Sequence, residues 1–237
     1  MAIIKTGNKI GVGGLHGRLA AKQMLDASRE AIPVDQMPHR LVIVADLSGS
    51  MNEPADRSAR WDSGAKSKLE YLKDGIQDFA LRSDNTTTAL AVESFPEGFR
   101  VNLTTNSNEV MLRMFGAGTL GDTPMGIGLS NGLSVHSPTR AMLISDGDAT
   151  DGDESYTAAR RYREREICID CVHIGYSSSG EERLKKIAEM TGGMYLKFKS
   201  TTNFAEAFHY LLPESRDAIA GMLPYDRERL LGADESK

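Results

Sequence analysis

Asp46-Leu47-Ser48-Gly49-Ser50 follows directly on the apolar run Leu41-Val42-Ile43-Val44-Ala45. A buried strand that ends this way delivers a carboxylate and two hydroxyls to one place. A second apolar run, Ala141-Met142-Leu143-Ile144, ends at Ser145-Asp146-Gly147, and Gly121-Asp122-Thr123-Pro124 lies between the two. Asp46, Ser48, Ser50, Thr123 and Asp146 could therefore supply five oxygen ligands from three separated loops. Hard divalent cations take oxygen donors, and Mg²⁺ keeps several waters while engaging only one or two carboxylates. If the hydroxyls bind directly and the carboxylates act mainly through water, the metal retains much of its charge and an open position for an outside anion. Such a site grips the Asp or Glu of a partner.

In type and in order along the chain, these residues resemble the metal-ion-dependent adhesion site of the von Willebrand factor A (VWA) family. The family pattern is D-x-S-x-S, then a Thr in a G-x-T-P-like loop, then an Asp opening a D-G turn. Asp46, Ser48, Ser50, Thr123 and Asp146 fill every position, and three ordered pieces at strand ends are far more specific than a lone D-x-S-x-S. The resemblance covers roughly residues 40 to 212. It implies that the Ser and Thr hydroxyls touch the metal, that the aspartates act mostly through water, and that an acidic residue of a ligand protein completes the octahedron. The implied ion is Mg²⁺ or Mn²⁺, with Ca²⁺ a third candidate. Settings implied by the family include partners of AAA+ ATPases of the MoxR kind, stress or tellurite-resistance systems, and the assembly of larger complexes.

These loops need a scaffold, and the intervening pattern predicts one. Leu69, Leu72, Ile76 and Phe79 recur at helical spacing, so Lys66 to Arg82 should lay one face on a sheet. Ala89 to Phe95 reads as a second strand, and the Glu97-Gly98 turn predicts an antiparallel third over Phe99 to Leu103. Asn108 to Phe115 reads as a helix. Another begins after Thr123, with Thr123 as cap and Pro124 at the first helical position. Ala141 to Ser145, Ile167 to Ile174 and Met194 to Phe198 complete six strands. Helices over Tyr156 to Glu166, over Glu181 to Thr191, and from Thr201 or Thr202 to Leu212 fill the remaining spans. The fold class is thus α/β: a doubly wound, mostly parallel six-stranded sheet with helices on both faces and one antiparallel edge strand. Ligands of such sheets bind beyond the carboxyl ends of the strands, where the strand order reverses. If the first and fourth strands are central neighbours, as the resemblance implies, Asp46 and Asp146 converge there.

The domain plan is an N-terminal arm over 1–39, a VWA domain over 40–212 and a C-terminal extension over 213–237. The arm carries Gly11, Gly13, Gly14 and Gly17, a short helix over Arg18 to Arg29, and extended chain at Ile32-Pro33-Val34 and Met37-Pro38. It reads as a strap on the domain or as a partner contact. The chain of 237 residues has a net charge of −5, which gives no electrostatic footprint for nucleic acid. Met-Ala-Ile-Ile-Lys lacks a signal-peptide core, and no run approaches the roughly 20 apolar residues of a membrane span. With only 2 cysteines, the expectation is a cytoplasmic protein in a reducing compartment.

Local chemistry offers competing uses for several residues. Ser48 and Ser50 could cap a turn, Thr123 could serve only as a helix cap, and Asp146-Gly147 could be an ordinary turn. The acidic series Asp146, Asp148, Asp151, Asp153 and Glu154 lacks the Gly and Glu positions of an EF-hand loop and reads as solvated chain bordering the metal. Cys168 and Cys171 sit at a spacing that points them to opposite faces of a strand, so core packing outweighs redox or zinc chemistry. His173 reads as a packed strand histidine. Gly175 to Gly180 reads as a flexible loop without the P-loop ending. Gly126, Gly128 and Gly132 weaken their helix, either for close packing or to let Thr123 move between direct and water-mediated contact. Asn52 to Lys68, with Pro54 and Trp61, is a packed loop or a partner-reading insertion.

The functional expectation is a metal-dependent protein-interaction module and not an enzyme. Two alternatives stand beside it. One is a structural subunit whose metal only stiffens loops, and the other is a metal-dependent phosphoester hydrolase. The hydrolase reading expects a second carboxylate two residues after Asp46, where Ser48 stands.

Overall fold

The computed structural model describes residues 32–55 and 65–198. The chain divides into two compact units, Met1–Ile32 and Pro33–Lys237, and all named elements lie in the second. The arm helix, Trp61 and the helix ending at Leu212 lie outside the described residues.

Among the described residues, six strands form one sheet: β1 (His39–Asp46), β2 (Thr88–Phe95), β3 (Arg100–Thr104), β4 (Arg140–Ser145), β5 (Ile169–Ile174) and β6 (Tyr195–Phe198). Their order is β3-β2-β1-β4-β5-β6. All neighbours pair in parallel except β2 with β3, which is antiparallel. The expected architecture is therefore present, including the antiparallel edge. From β1 the chain builds outward to β2 and β3, then returns to place β4 on the other flank of β1. The order reverses between these two central strands.

Among the described residues, five helices cover the sheet: α1 (Lys68–Arg82), α2 (Ser107–Phe115), α3 (Met125–His136), α4 (Glu154–Glu164) and α5 (Ser178–Thr191). Alternation along β1 explains the layers. Leu41, Ile43 and Ala45 pack with Leu72, Ile76, Phe79, Val110 and Met114 beneath α1 and α2. Val42 and Val44 pack with Leu129, Leu133, Tyr162, Leu184 and Ile187 beneath α3, α4 and α5. A strand buried on both faces must read as an unbroken apolar run, as β1 and β4 do. Burying each large side chain stabilises the fold by about 1.5–3 kcal/mol, so this double core can hold strand-end loops in fixed positions.

Several boundaries differ from the sequence expectation for local reasons. Val34–Gln36 forms a single 3-10 turn where extended chain is expected, closed by the Met37 N–H on the Val34 carbonyl. α1 begins at Lys68 because Ser67 and Glu70 form a reciprocal capping box. α5 begins at Ser178, not Glu181, because the Ser177 hydroxyl accepts from the Gly180 N–H. Half of the expected flexible loop over Gly175 to Gly180 is therefore the first helical turn. Cys171 is buried on β5 among the α5 contacts, whereas Cys168 precedes the strand, and both thiols are free. Among the described residues, no helix is long and apolar enough to cross a membrane.

The glycines of α3 have packing roles. A Cβ on Gly128 would lie 2.7 Å from the Phe95 ring, one on Gly126 2.6 Å from the Glu154 backbone, and one on Gly132 3.0 Å from the Tyr162 hydroxyl. Only hydrogen side chains let α3 approach β2 and α4 this closely.

Candidate metal centre

Asp46 ends β1 and is fully buried. Its Oδ1 accepts from the Ser48 N–H at 2.9 Å, and its Oδ2 accepts from the Ser145 hydroxyl at 2.5 Å. Ser145 in turn accepts from the Gly147 N–H at 2.8 Å. The carboxylate is thus held across the gap between the two central strands. Ser145 is a fixing residue that sequence reasoning passes over. Its signal is its place beside Asp146 at the end of a buried strand.

Ser48 is buried and Ser50 half-buried, and their hydroxyl oxygens face each other at 3.1 Å. Ser48 occupies the cap position of the 3-10 turn Gly49–Asn52, yet its side chain makes no cap bond. The turn is closed instead by the Met51 N–H on the Ser48 carbonyl. The hydroxyl pair is not consumed by the local turn.

Thr123 is brought to the same end by backbone lacing. Leu120 N–H donates to the Leu47 carbonyl at 2.6 Å, and Gly49 N–H donates to the Gly121 carbonyl at 3.0 Å. Thr123 N–H donates to the Thr150 hydroxyl at 3.2 Å, while Thr150 N–H donates to the Thr123 carbonyl at 3.0 Å. The loop before α3 is therefore laced to the loop after β1 on one side and to the loop after β4 on the other. Thr123 does not cap α3, contrary to expectation. Pro124 occupies the cap position, and the Asp151 carboxylate accepts from the Gly126 N–H at 2.5 Å. A carboxylate offers the positive helix end more than a hydroxyl does, which leaves the Thr123 hydroxyl unspent on that helix.

Asp146 follows β4 and is 3% exposed. Its Oδ2 accepts from the Lys68 ammonium at 3.0 Å, whereas its Oδ1 is buried without a hydrogen-bond partner among the described residues. A buried, unpartnered carboxylate oxygen costs free energy unless a donor or cation satisfies it. Its backbone is pinned by His173, whose Nε2 lies 3.0 Å from the Asp146 carbonyl. A carbonyl only accepts, so Nε2 carries the proton and Nδ1 accepts from the Tyr195 hydroxyl at 3.2 Å. Burial, followed by the Lys197 charge, pulls the His173 pKa below its ordinary value and keeps this neutral form. His173 is a packed strand histidine, as expected.

The electrostatics match a site built for positive charge. Burial, then the Asp146 charge, pushes the Asp46 carboxyl up to about 6, against hydrogen bonds from Ser145 and Ser48 that lower it. For Lys68, burial pulls the ammonium down. Asp146 and Glu53 more than offset that and hold its pKa above the ordinary value. Among the described residues, no three His, Cys, Asp or Glu side chains gather as a metal cluster. The candidate set is instead two carboxylates with three hydroxyls, an all-oxygen set suited to Mg²⁺, Mn²⁺ or Ca²⁺. The orphaned Asp146 Oδ1, the Ser48 and Ser50 hydroxyls that face each other, and the Thr123 hydroxyl that does not cap α3 fit such an ion.

The acidic loop does more than border solvent. Asp148 accepts from the Ser177 and Ser179 hydroxyls, each at 2.8 Å, and Asp151 holds α3. Gly147 has φ +86°, and a Cβ on Gly180 would strike the Asp146 carbonyl. Gly180→Ala should therefore push α5 off the Asp146 turn. The expected loss is about 1–3 kcal/mol in urea unfolding, with weaker Mn²⁺ uptake. Gly118→Ala, where a Cβ would meet nothing within 4 Å, should leave both unchanged.

No family model and no curated protein matches the chain. Solved structures do. BatB from Bacteroides thetaiotaomicron aligns at 16% identity and TM-score 0.60, over 78% of this chain and 100% of that one. The SpRpn10 VWA domain aligns at 13% identity and TM-score 0.55, over 75% and 96%. Manganese-loaded TRAP protein of Plasmodium vivax aligns at 14% identity and TM-score 0.52, over 78% and 76%. At these identities the likeness shows the fold: an α/β VWA-like fold.

Proposed function

We propose that this chain is a protein-interaction module that holds Mg²⁺ or Mn²⁺ on Ser48, Ser50, Thr123, Asp46 and Asp146 and uses the ion to bind an Asp or Glu of a partner protein. The observation that carries this reading is the Oδ1 of Asp146, buried and without a hydrogen-bond partner among the described residues. Asp146 directly follows Ser145, which fixes Asp46, and the Ser48–Ser50 hydroxyls face each other in the loop that follows Asp46. The VWA-like fold supports it, as does the manganese in one structure of that fold.

Each residue has a task. Ser48, Ser50 and Thr123 offer neutral oxygens, which leave charge on the ion. Asp46, clamped by Ser48 N–H and Ser145, and Asp146 supply the negative field that draws it in. When bound, the ion supplies an electrophilic position for an outside carboxylate. The reading is of binding and not catalysis, and the proposed setting is a multiprotein assembly, whether with an AAA+ ATPase, in a stress-resistance system or in another larger complex.

Affinity capture tests the reading. Partners should be retained with Mg²⁺ and lost both with EDTA and with Asp46→Ala. Equal capture under all three conditions would overturn it.

A further inference from the structure

Lys68 is 3% exposed and stands at the first position of α1, where the helix end disfavours a cation. Its surroundings explain why it is there. The Nζ donates to Asp146 Oδ2 and to Glu53 Oε2, each at 3.0 Å, and lies 5.4 Å from the centre of the Tyr176 ring. The Tyr176 hydroxyl donates to the Pro54 carbonyl at 3.2 Å. The backbone fixes the same neck: Lys68 N–H donates to the Glu53 carbonyl at 2.9 Å, and Pro54 bridges Ser67. Gly175 closes the remaining side, since a Cβ there would lie 3.5 Å from Lys68 Cε and 3.4 Å from Asp146 Cβ. The ammonium is thus built into the fold and shares a single carboxylate with the candidate metal position.

We infer that Lys68 is the resident cation of the centre, occupying Asp146 Oδ2 so that only Oδ1 faces the metal and offsetting one carboxylate so that the bound ion keeps charge for the partner's acid. This rests on the metal-binding reading above. Lys68 sets a compromise between gripping the ion and gripping the ligand. Without it, Asp46 and Asp146 would hold a divalent ion more tightly and leave it less electrophilic. Glu53, half-exposed on the far side of the ammonium, tempers Lys68 in turn. Lys68 is a positioning residue: it acts on the ion through Asp146.

The two flanking residues should therefore move metal affinity in opposite directions. Lys68→Met should tighten Mn²⁺ binding by about tenfold or more, given one unit charge removed within several ångströms. It should also weaken acetate binding to the Mn²⁺-loaded protein about tenfold. Glu53→Gln, at a half-exposed position that does not endanger the fold, should weaken Mn²⁺ binding by about threefold. Calorimetric titration with MnCl₂, then with acetate, reads both effects. A merely structural pair would weaken Mn²⁺ binding in both variants or in neither, and either result overturns the inference alone. Wild-type protein that takes up no Mn²⁺ overturns the metal reading and this inference with it.

Discussion

Asp46→Asn is expected to lower divalent-cation affinity by at least about 100-fold while leaving the fold intact. The substitution preserves volume and an oxygen that can accept from the Ser48 N–H. It removes a charge placed at the centre of the sheet with Ser145 donating to it. The metal-free protein should lose nothing from the change at neutral pH, and the sign follows from the shift. The folded carboxyl titrates at about 6 against an ordinary 3.8, chiefly through burial and then Asp146. Stability in chelator is therefore fullest below the ordinary value and falls as pH rises through about 6, by up to about 1.4 kcal/mol per unit. Removing the charge abolishes that loss. Melting in EDTA should show an equal or higher Tm at pH 7 than wild type, and added Mg²⁺ should raise only the wild-type Tm. A variant that still responds to Mg²⁺ would contradict the assignment of Asp46.

Asp146→Ala should be the most damaging single change, because it removes a ligand and strands a buried ammonium. The Lys68 and Asp146 side chains are only 4% and 5% exposed where they pair. Breaking such a pair from one side costs about 3 kcal/mol or more, and the half-exposed Glu53 is left as the remaining anion. Urea unfolding should show that loss, and Mn²⁺ uptake should vanish. Adding Lys68→Met to Asp146→Ala should restore most of the stability and none of the metal binding. If the double variant is as unstable as the single one, the ammonium is not the source of the penalty. If it binds Mn²⁺, Asp146 is not a ligand.

The sheet was legible in the sequence because its central strands are buried on both faces. Leu41 to Ala45 and Ala141 to Ile144 have no polar residue to confuse the reading, and each ends in an abrupt change to Asp and Ser. The antiparallel β3 could be read from a Glu-Gly turn too short for a crossover helix. Of the candidate site, the sequence showed that Asp46 and Asp146 stand at the ends of two strands, and these strands lie side by side where the strand order reverses. What escaped was tertiary. Thr123 and Asp151 are 28 residues apart, so nothing local says that the carboxylate takes the helix cap and leaves the hydroxyl unspent. Ser145 needed the register of β1 against β4 before its reach to Asp46 could be seen. Lys68 left one sign, a lysine at the wrong end of a helix, whose meaning depends on Asp146 lying 78 positions away.

Everything rests on five oxygens from three laced loops sharing one hard ion that keeps an open position. Titrating Mn²⁺ into chelator-treated full-length protein, and following the water-proton relaxation of the bound ion, tests this most directly. The expected result is one saturable site per chain, displaced by Mg²⁺, with fast-exchanging water that glutamate or acetate removes. An absence of saturable uptake through the millimolar range, or bound Mn²⁺ whose water no carboxylate displaces, would contradict it.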